Sequence, residues 1–290
     1  MFEGFHREFV RCGETDIHAV IGGDGPPLLL LHGYPETHLM WHRIADDLAR
    51  HFTVVCPDLR GYGDSAKPPG DPAHETYAKR AMALDQAILM GKLGFETYGV
   101  AGHDRGARVA RRLALDHPDA VSKLAVLDII PTHVVFDRID QVVATKYSHW
   151  FYMLDPELPE HFIGLDPAYW LTAKLRAWSA DPDAFEPAIV EQYIRCLSTP
   201  EAIHATCEDY RAGASIDLEH DREDAEDPIE CPVLVLWGAE GLVGRHYDPL
   251  AIWRDEADGP VEGHALDCGH FLPEEAPEAT RDALIAFFDG

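Results

Sequence analysis

The chain is poor in positive charge. Its 290 residues carry 24 Lys and Arg against 51 Asp and Glu, a formal charge of −27. With no basic surplus to neutralise phosphates, a nucleic-acid partner held by general electrostatics is excluded, and an anionic membrane surface is disfavoured for the same reason. Long apolar runs are missing too. The longest, such as Pro26 to Leu31, span only a few residues, far short of the roughly 18 that a membrane-spanning helix needs. Met1 to Cys12 is polar and aromatic, without the basic patch and apolar stretch of a secretory leader. Cysteines are scattered at 12, 56, 196, 207, 231 and 268, and no two form a CxxC pair. Reduced core thiols in a cytoplasmic protein are therefore expected. The sequence has no HExxH motif, and Gly61–Tyr62–Gly63 lacks the rest of a dinucleotide fingerprint, so neither a zinc site nor a nucleotide cofactor is expected.

What is present is a rhythm of short apolar runs separated by turns and helical periodicity. After an opening hairpin, strands are expected at Pro27 to Leu31, Phe52 to Cys56, Tyr98 to Ala101 and Val121 to Asp128. Helical spacing lies between them, in Trp41 to Leu48, Thr76 to Leu93 and Ala107 to Asp116. This alternation specifies a mostly parallel central sheet covered on both faces. The rhythm breaks after Ile130. From Thr132 to about Ala225 the chain is helical and aromatic, and it holds Trp150, Trp170 and Trp178. Strands and helices resume at Pro232 to Gly238, Asp248 to Glu256, Val261 to Leu266 and Glu275 to Phe288. The expected organisation is an α/β core of residues 1–131 and 225–290, with residues 132–224 inserted as a helical cap.

Three segments carry chemistry. Gly102–His103–Asp104–Arg105–Gly106 joins a strand to a helix with the G-x-nucleophile-x-G shape of a nucleophile elbow, in which the glycines permit a sharp turn. The central residue is Asp104 rather than serine. A carboxylate can attack a saturated carbon to form an alkyl ester that water then hydrolyses. A surface aspartate in an ordinary turn is the blander reading. His32–Gly33–Tyr34–Pro35 ends an early strand, so the backbone amides of Tyr34 and Arg105 are the candidate oxyanion donors. His270, in Gly269–His270–Phe271–Leu272–Pro273–Glu274, falls after the last strand, where the order nucleophile, acid, histidine puts the base. The acid has two candidates at strand ends, Asp128 and Glu240, with Asp128 at the strand terminus itself. It would orient the imidazole.

With these segments in view, His32 to Pro35, Asp58 to Ser65, Gly102 to Arg108 and Gly269 to Phe271 resemble the α/β-hydrolase branch that contains haloalkane dehalogenases and epoxide hydrolases. The chain is more closely similar to haloacetate dehalogenases, including fluoroacetate dehalogenase. That likeness extends through Ala125 to Thr132, Lys146 to Trp150, Cys207 to Gly213 and His270 to Glu275, cap included. It implies an α/β-hydrolase fold with nucleophile, acid and base at Asp104, Asp128 and His270. It also implies a substrate carboxylate gripped by Arg105 and Arg108, and a departing halide received by His149, Trp150 and Tyr210. The chemistry of those side chains agrees: a guanidinium fork suits a planar carboxylate, and the three cap residues are N–H or O–H donors. Haloalkane dehalogenases carry tryptophan directly after the nucleophile, and this chain has Arg105 there. The resemblance implies no cofactor or metal, a small anionic substrate and a homodimer. An epoxide hydrolase would use the same Asp104 and His270, with Tyr210 and either Tyr147 or Tyr152 as proton donors. A non-catalytic small-molecule binder on the same fold is a third reading.

Overall fold

The computed structural model describes residues 2–290. Eight strands form one sheet in the order β1-β2-β4-β3-β5-β6-β7-β8. They are β1 His6–Cys12, β2 Thr15–Gly22, β3 Pro27–Leu31, β4 Thr53–Pro57, β5 Tyr98–His103, β6 Val121–Leu127, β7 Val233–Gly238 and β8 Val261–Leu266. β1 and β2 form the expected antiparallel hairpin, and β2 pairs antiparallel with β4. From β4 to β8 every pairing is parallel.

The period-2 alternation of a strand divides the central residues between two cores. Leu29 and Leu31 of β3, with Leu124 and Val126 of β6, belong to the core on one face. Leu28 and Leu30, with Ala125 and Leu127, belong to the other. A strand buried on both sides can be apolar at every position, which is why these strands read as continuous runs rather than alternating patterns.

Several boundaries differ from the sequence expectation for local reasons. β5 runs on to His103 because ladder pairing continues from Gly102 to Leu31 and from His103 to Leu127. The helix expected over Trp41 to Leu48 is a 3₁₀ turn, His38–Trp41, and a separate short helix, Ala45–Leu48. The closing helix is likewise two pieces, Leu272–Glu275 and Pro277–Asp289. Pro277 has no N–H to continue a helix but suits the first turn of a new one.

Between β6 and β7 lies an inserted helical cap. Its helices run from Thr132–Asp137 to Ile216–Glu223, and no strand occurs there among the described residues. The sheet and cap together are the α/β-hydrolase fold. No helix among the described residues is long and apolar enough to cross a membrane.

Candidate active site

The elbow is built by close approach. A Cβ on Gly102 would lie 2.5 Å from the Gly106 carbonyl oxygen, and one on Gly106 would lie 2.3 Å from that of His32. Only glycine lets β5, the helix Arg105–Asp116 and the end of β3 converge there. Asp104, between strand and helix, adopts φ 45° and ψ −115°, a conformation costly for a residue with a Cβ and one that clusters at functional sites. One of its carboxylate oxygens, Oδ2, accepts a 3.1 Å hydrogen bond from the Tyr34 amide. The Arg105 amide, at the first position of the helix, makes no such bond to Asp104. Burial alone would raise the Asp104 pKa, but His270, His103, Arg108 and Arg105 outweigh it and hold the group below the usual carboxylate range. Asp104 is thus an ionised, buried carboxylate.

Asp128 follows β6 with φ 52°. Its Oδ1 accepts from the Gly238 amide at 3.0 Å, and its Oδ2 lies 2.6 Å from His270 Nδ1. His270 is fixed from two further directions. Its amide donates to the Trp178 carbonyl at 3.0 Å, and its own carbonyl lies 2.7 Å from His103 Nε2. Burial would lower the His270 pKa, but the hydrogen bond and charge of Asp128, then the charge of Asp104, raise it. The other acid candidate, Glu240, pairs with Arg245 with its side chain half exposed. The structure joins His270 to Asp128, while Glu240, on the rim of the same cavity, pairs with Arg245 instead.

Arg105 and Arg108 are both buried, but their partners differ. Arg105 is already bound to a carboxylate: its Nε and Nη2 donate to Asp209 at 3.0 and 2.8 Å. Its guanidinium carbon lies 4.4 Å from the Tyr210 ring centroid. Arg108 Nη1 donates to the Ile130 carbonyl and the Thr132 hydroxyl, each at 2.9 Å. Arg108 Nε has no partner, and its guanidinium carbon sits 4.7 Å from the Trp150 ring centroid. The two-arginine fork expected from the sequence is therefore asymmetric, with one member bound to Asp209 and the other bonded only to a carbonyl and a hydroxyl.

The cap residues close over this floor. His149 is 4.6 Å from Trp178 and 5.5 Å from Tyr210 by ring centroids, and Trp150 stacks on Tyr147 at 4.9 Å. Burial holds the His149 pKa well below its ordinary value, so the ring is neutral. A cavity of about 540 Å³ is lined by Asp104, Asp128, His270, Tyr147, His149 and Trp150, among others. Tyr152 does not line this cavity; it is half-buried against Trp170, with its hydroxyl donating to the Leu158 carbonyl at 3.2 Å.

The sequence reading missed Asp209 as an organiser. It receives Arg105, the Tyr62 hydroxyl at 2.6 Å and Lys79. The only trace was its place in the Cys207 to Gly213 segment. Another group of possible ligands, His18, His38 and Asp58, has ring nitrogens and a carboxylate oxygen within 4.8 Å of one another. Both Nδ1 atoms lie 2.8 Å from Asp58 oxygens, which also accept from the His38 and Asp64 amides at 2.9 Å. The lone pairs of that carboxylate are already occupied by hydrogen bonds that pin the loop after β4.

A carboxylate on a strand–helix elbow, facing a histidine held by a second carboxylate on the next strand, defines an α/β hydrolase with an aspartate at the nucleophile position. The chain belongs to the alpha/beta hydrolase fold family, which matches residues 26–277. It is 46% identical to a fluoroacetate dehalogenase of Burkholderia sp. over 99% of this chain and 95% of that one. It is 36% identical to a soluble epoxide hydrolase of Corynebacterium sp. strain C12 over 94% and 93%. Among solved structures, a Nostoc sp. PCC 7120 protein described by its alpha/beta-hydrolase fold superposes with a TM-score of 0.98 at 57% identity, over 99% of both chains. The chain is thus an α/β hydrolase close to the fluoroacetate dehalogenases, with epoxide hydrolases among its relatives.

Proposed function

We propose that this protein hydrolyses small 2-halo carboxylic acids, haloacetate and fluoroacetate among them, to the 2-hydroxy acid and halide. The observation that carries this is Arg108. On the elbow helix Arg105 pairs with Asp209, Arg111 with Asp221 and Glu256, and Arg112 with Asp116 and Asp224. Among the described residues Arg108 makes no ion pair, and Asp104 is the anion whose charge reaches it. In a chain with 51 acids to 24 bases, a buried guanidinium with no carboxylate in hydrogen-bond contact is suited to one that a ligand brings beside Asp104.

The substrate carboxylate docks on Arg108 with Arg105 alongside. Asp104 Oδ1 attacks the α-carbon in line with the carbon–halogen bond, and the halide leaves with both bonding electrons. His149, Trp150 and the Tyr210 hydroxyl receive it. A small halide is strongly hydrated, so these donors replace its lost water. The product of this step is an ester of Asp104. His270, oriented by Asp128, takes a proton from water, whose oxygen attacks the ester carbonyl. Asp104 Oδ2 becomes the oxyanion and already meets the Tyr34 amide, with the Arg105 amide as the second donor. Collapse of the intermediate frees the hydroxy acid, and His270 returns the proton.

The epoxide hydrolase reading draws support from Tyr147, which lines the cavity. Tyr152 does not serve it, because it does not line that cavity and its hydroxyl is bonded elsewhere. Neither tyrosine gives Arg108 a purpose. Six unbridged thiols suit the reducing cytoplasm, and a second copy of the chain is the expected partner. Halide and hydroxy acid are to be measured with a panel of 2-fluoro, 2-chloro and 2-bromo acids, with epoxides as controls. Halide release from the acids supports the proposal. Diol formation from epoxides without halide release overturns it.

A further inference from the structure

Behind the elbow, away from the substrate cavity, two glutamates meet with no cation paired to either. Glu36 follows the oxyanion segment Gly33–Tyr34–Pro35, and Glu274 lies four residues after His270. They are 1% and 0% exposed. Glu36 lies close enough for its charge to oppose ionisation of Glu274. With both carboxyls taken as ionised, Glu36 Oε1 and Oε2 and Glu274 Oε2 have no hydrogen-bond partner among the described residues, a cost that protons on the pair would remove. Tyr193, from the cap helix Pro187–Leu197, donates its hydroxyl to Glu274 Oε1 at 3.1 Å. On the other side, Glu36 Oε2 stands 3.5 Å from His103 Nδ1.

His103 settles where the protons go. Its Nε2 lies 2.7 Å from the His270 carbonyl, an acceptor only, so Nε2 carries the hydrogen. Burial, then the charge of His270, pushes the His103 pKa down to about 4. The ring is neutral, and Nδ1 is a bare lone pair facing Glu36. Nδ1 and both Glu36 oxygens lack partners when the carboxyl is taken as ionised. A proton on Glu36 resolves that clash.

We propose that Glu36 and Glu274 are held as uncharged carboxylic acids. They form a directed chain from Tyr193 through Glu274, Glu36 and His103 to the His270 carbonyl, and this chain positions the catalytic histidine. The chain ties together the oxyanion loop, the nucleophile strand, the histidine loop and the cap. The ionisable groups facing the pair pull in both directions, and burial decides between them. Asp104 and Glu275 oppose ionisation of Glu36, Tyr193 donates to Glu274, and Arg43 is the one cation whose charge reaches Glu274. Arg43 spends its own hydrogen bonds on the Glu274 and Ala184 carbonyls. Burial first, then the charges of Asp104 and Glu275, raises Glu36 to about 8. Burial, then the charge of Glu36, raises Glu274 well above the carboxylate range against the opposing pull of Tyr193 and Arg43.

A group whose folded pKa is raised stabilises fully below its unfolded value, and that contribution is lost as pH rises through the folded value. Ionising Glu36 near pH 8 would therefore place a charge against the bare His103 Nδ1 and loosen His270.

The test compares wild type with Glu36→Gln and Glu274→Gln, which keep the shape but cannot ionise. Infrared difference spectra at neutral pH should show carbonyl absorption from two buried protonated acids, and Glu36→Gln and Glu274→Gln should each remove one component of it. The Tm of wild type should fall more steeply than that of Glu36→Gln from about pH 6 to about pH 9. These readouts need no substrate, so they stand or fall apart from the proposed reaction. With a turned-over substrate, wild-type kcat should fall at least about threefold from its maximum across the same alkaline range with KM held, and Glu36→Gln should show a smaller fall. Absence of the acid band in wild type, or a Gln variant that tracks wild type in Tm and kcat at both pH values, overturns the proposal.

Discussion

In the proposed reaction Asp104 and His270 divide the labour of two chemical steps, so their variants should fail differently. Asp104→Asn removes the attacking carboxylate with little change of shape and should abolish halide release. His270→Asn leaves the attack intact but removes the base that activates water. It should release about one halide per active site and then stop, with a mass adduct on the peptide that contains Asp104. Sustained turnover by the histidine variant would refute its role. Arg108 tests substrate class rather than fold. Lysine there keeps the charge but loses the planar fork. Arg108→Lys should lower kcat/KM for a 2-halo acid at least roughly tenfold, about 1.4 kcal/mol, and should change that of the neutral amide far less. Equal losses on both would make Arg108 structural.

Between residue and fold, the elements that bring the site together were unequally legible. Asp104 and His270 sit where a glycine pair and a strand end force the chain to turn, and such positions announce themselves locally. Asp128 is favoured over Glu240 by its place at the strand terminus, and the fold adds the contact: His270 meets Asp128 while Glu240 pairs with Arg245. The partner of Arg105 was harder to read. Asp209 lies 104 residues away, on the cap helix Pro200–Gly213, and nothing in its local pattern marks a buried hub. That helix is pinned to the core by the contact of Asp209 with Arg105 and Lys79. Asp209→Asn would strand two buried cations and should destabilise by about 3–5 kcal/mol. Thermal unfolding should show it as a drop of several degrees in Tm. An unchanged Tm would mean that the cap is held by its apolar contacts alone.

Over the whole molecule, alternation of strand and helix made the parallel sheet and the inserted cap readable, because burial on both faces leaves continuous apolar runs. Self-association was not readable that way. Leu158, Phe162 and Leu165 recur at helical spacing on the helix Leu158–Leu165, and with Tyr169 of the next helix they are 49%, 54%, 68% and 72% exposed. Apolar side chains grouped on a cap surface are the natural place to seek the expected second copy. Light scattering should give twice the 32.3 kDa chain mass, and Phe162→Glu with Leu165→Glu should return the monomer. A wild type that stays monomeric at micromolar concentration removes the dimer from the reading.

The hydrogen bond from the Tyr34 amide to Asp104 Oδ2 makes the two oxygens of one carboxylate unequal. Oδ2 is tethered, so in the proposed reaction Oδ1 would make the bond to carbon and depart inside the product. Solvent would then supply its replacement, which would occupy the attacking position for the next cycle. By this route the enzyme would spend one of its own atoms in every turnover and refill the same seat each time. After many cycles in water enriched in ¹⁸O, the Asp104 peptide should hold one heavy oxygen, with the tethered atom still the original. The first product molecule should carry none. Two heavy oxygens on Asp104 would mean that the carboxylate flips between cycles, and that the tether from Tyr34 does not outlast a turnover.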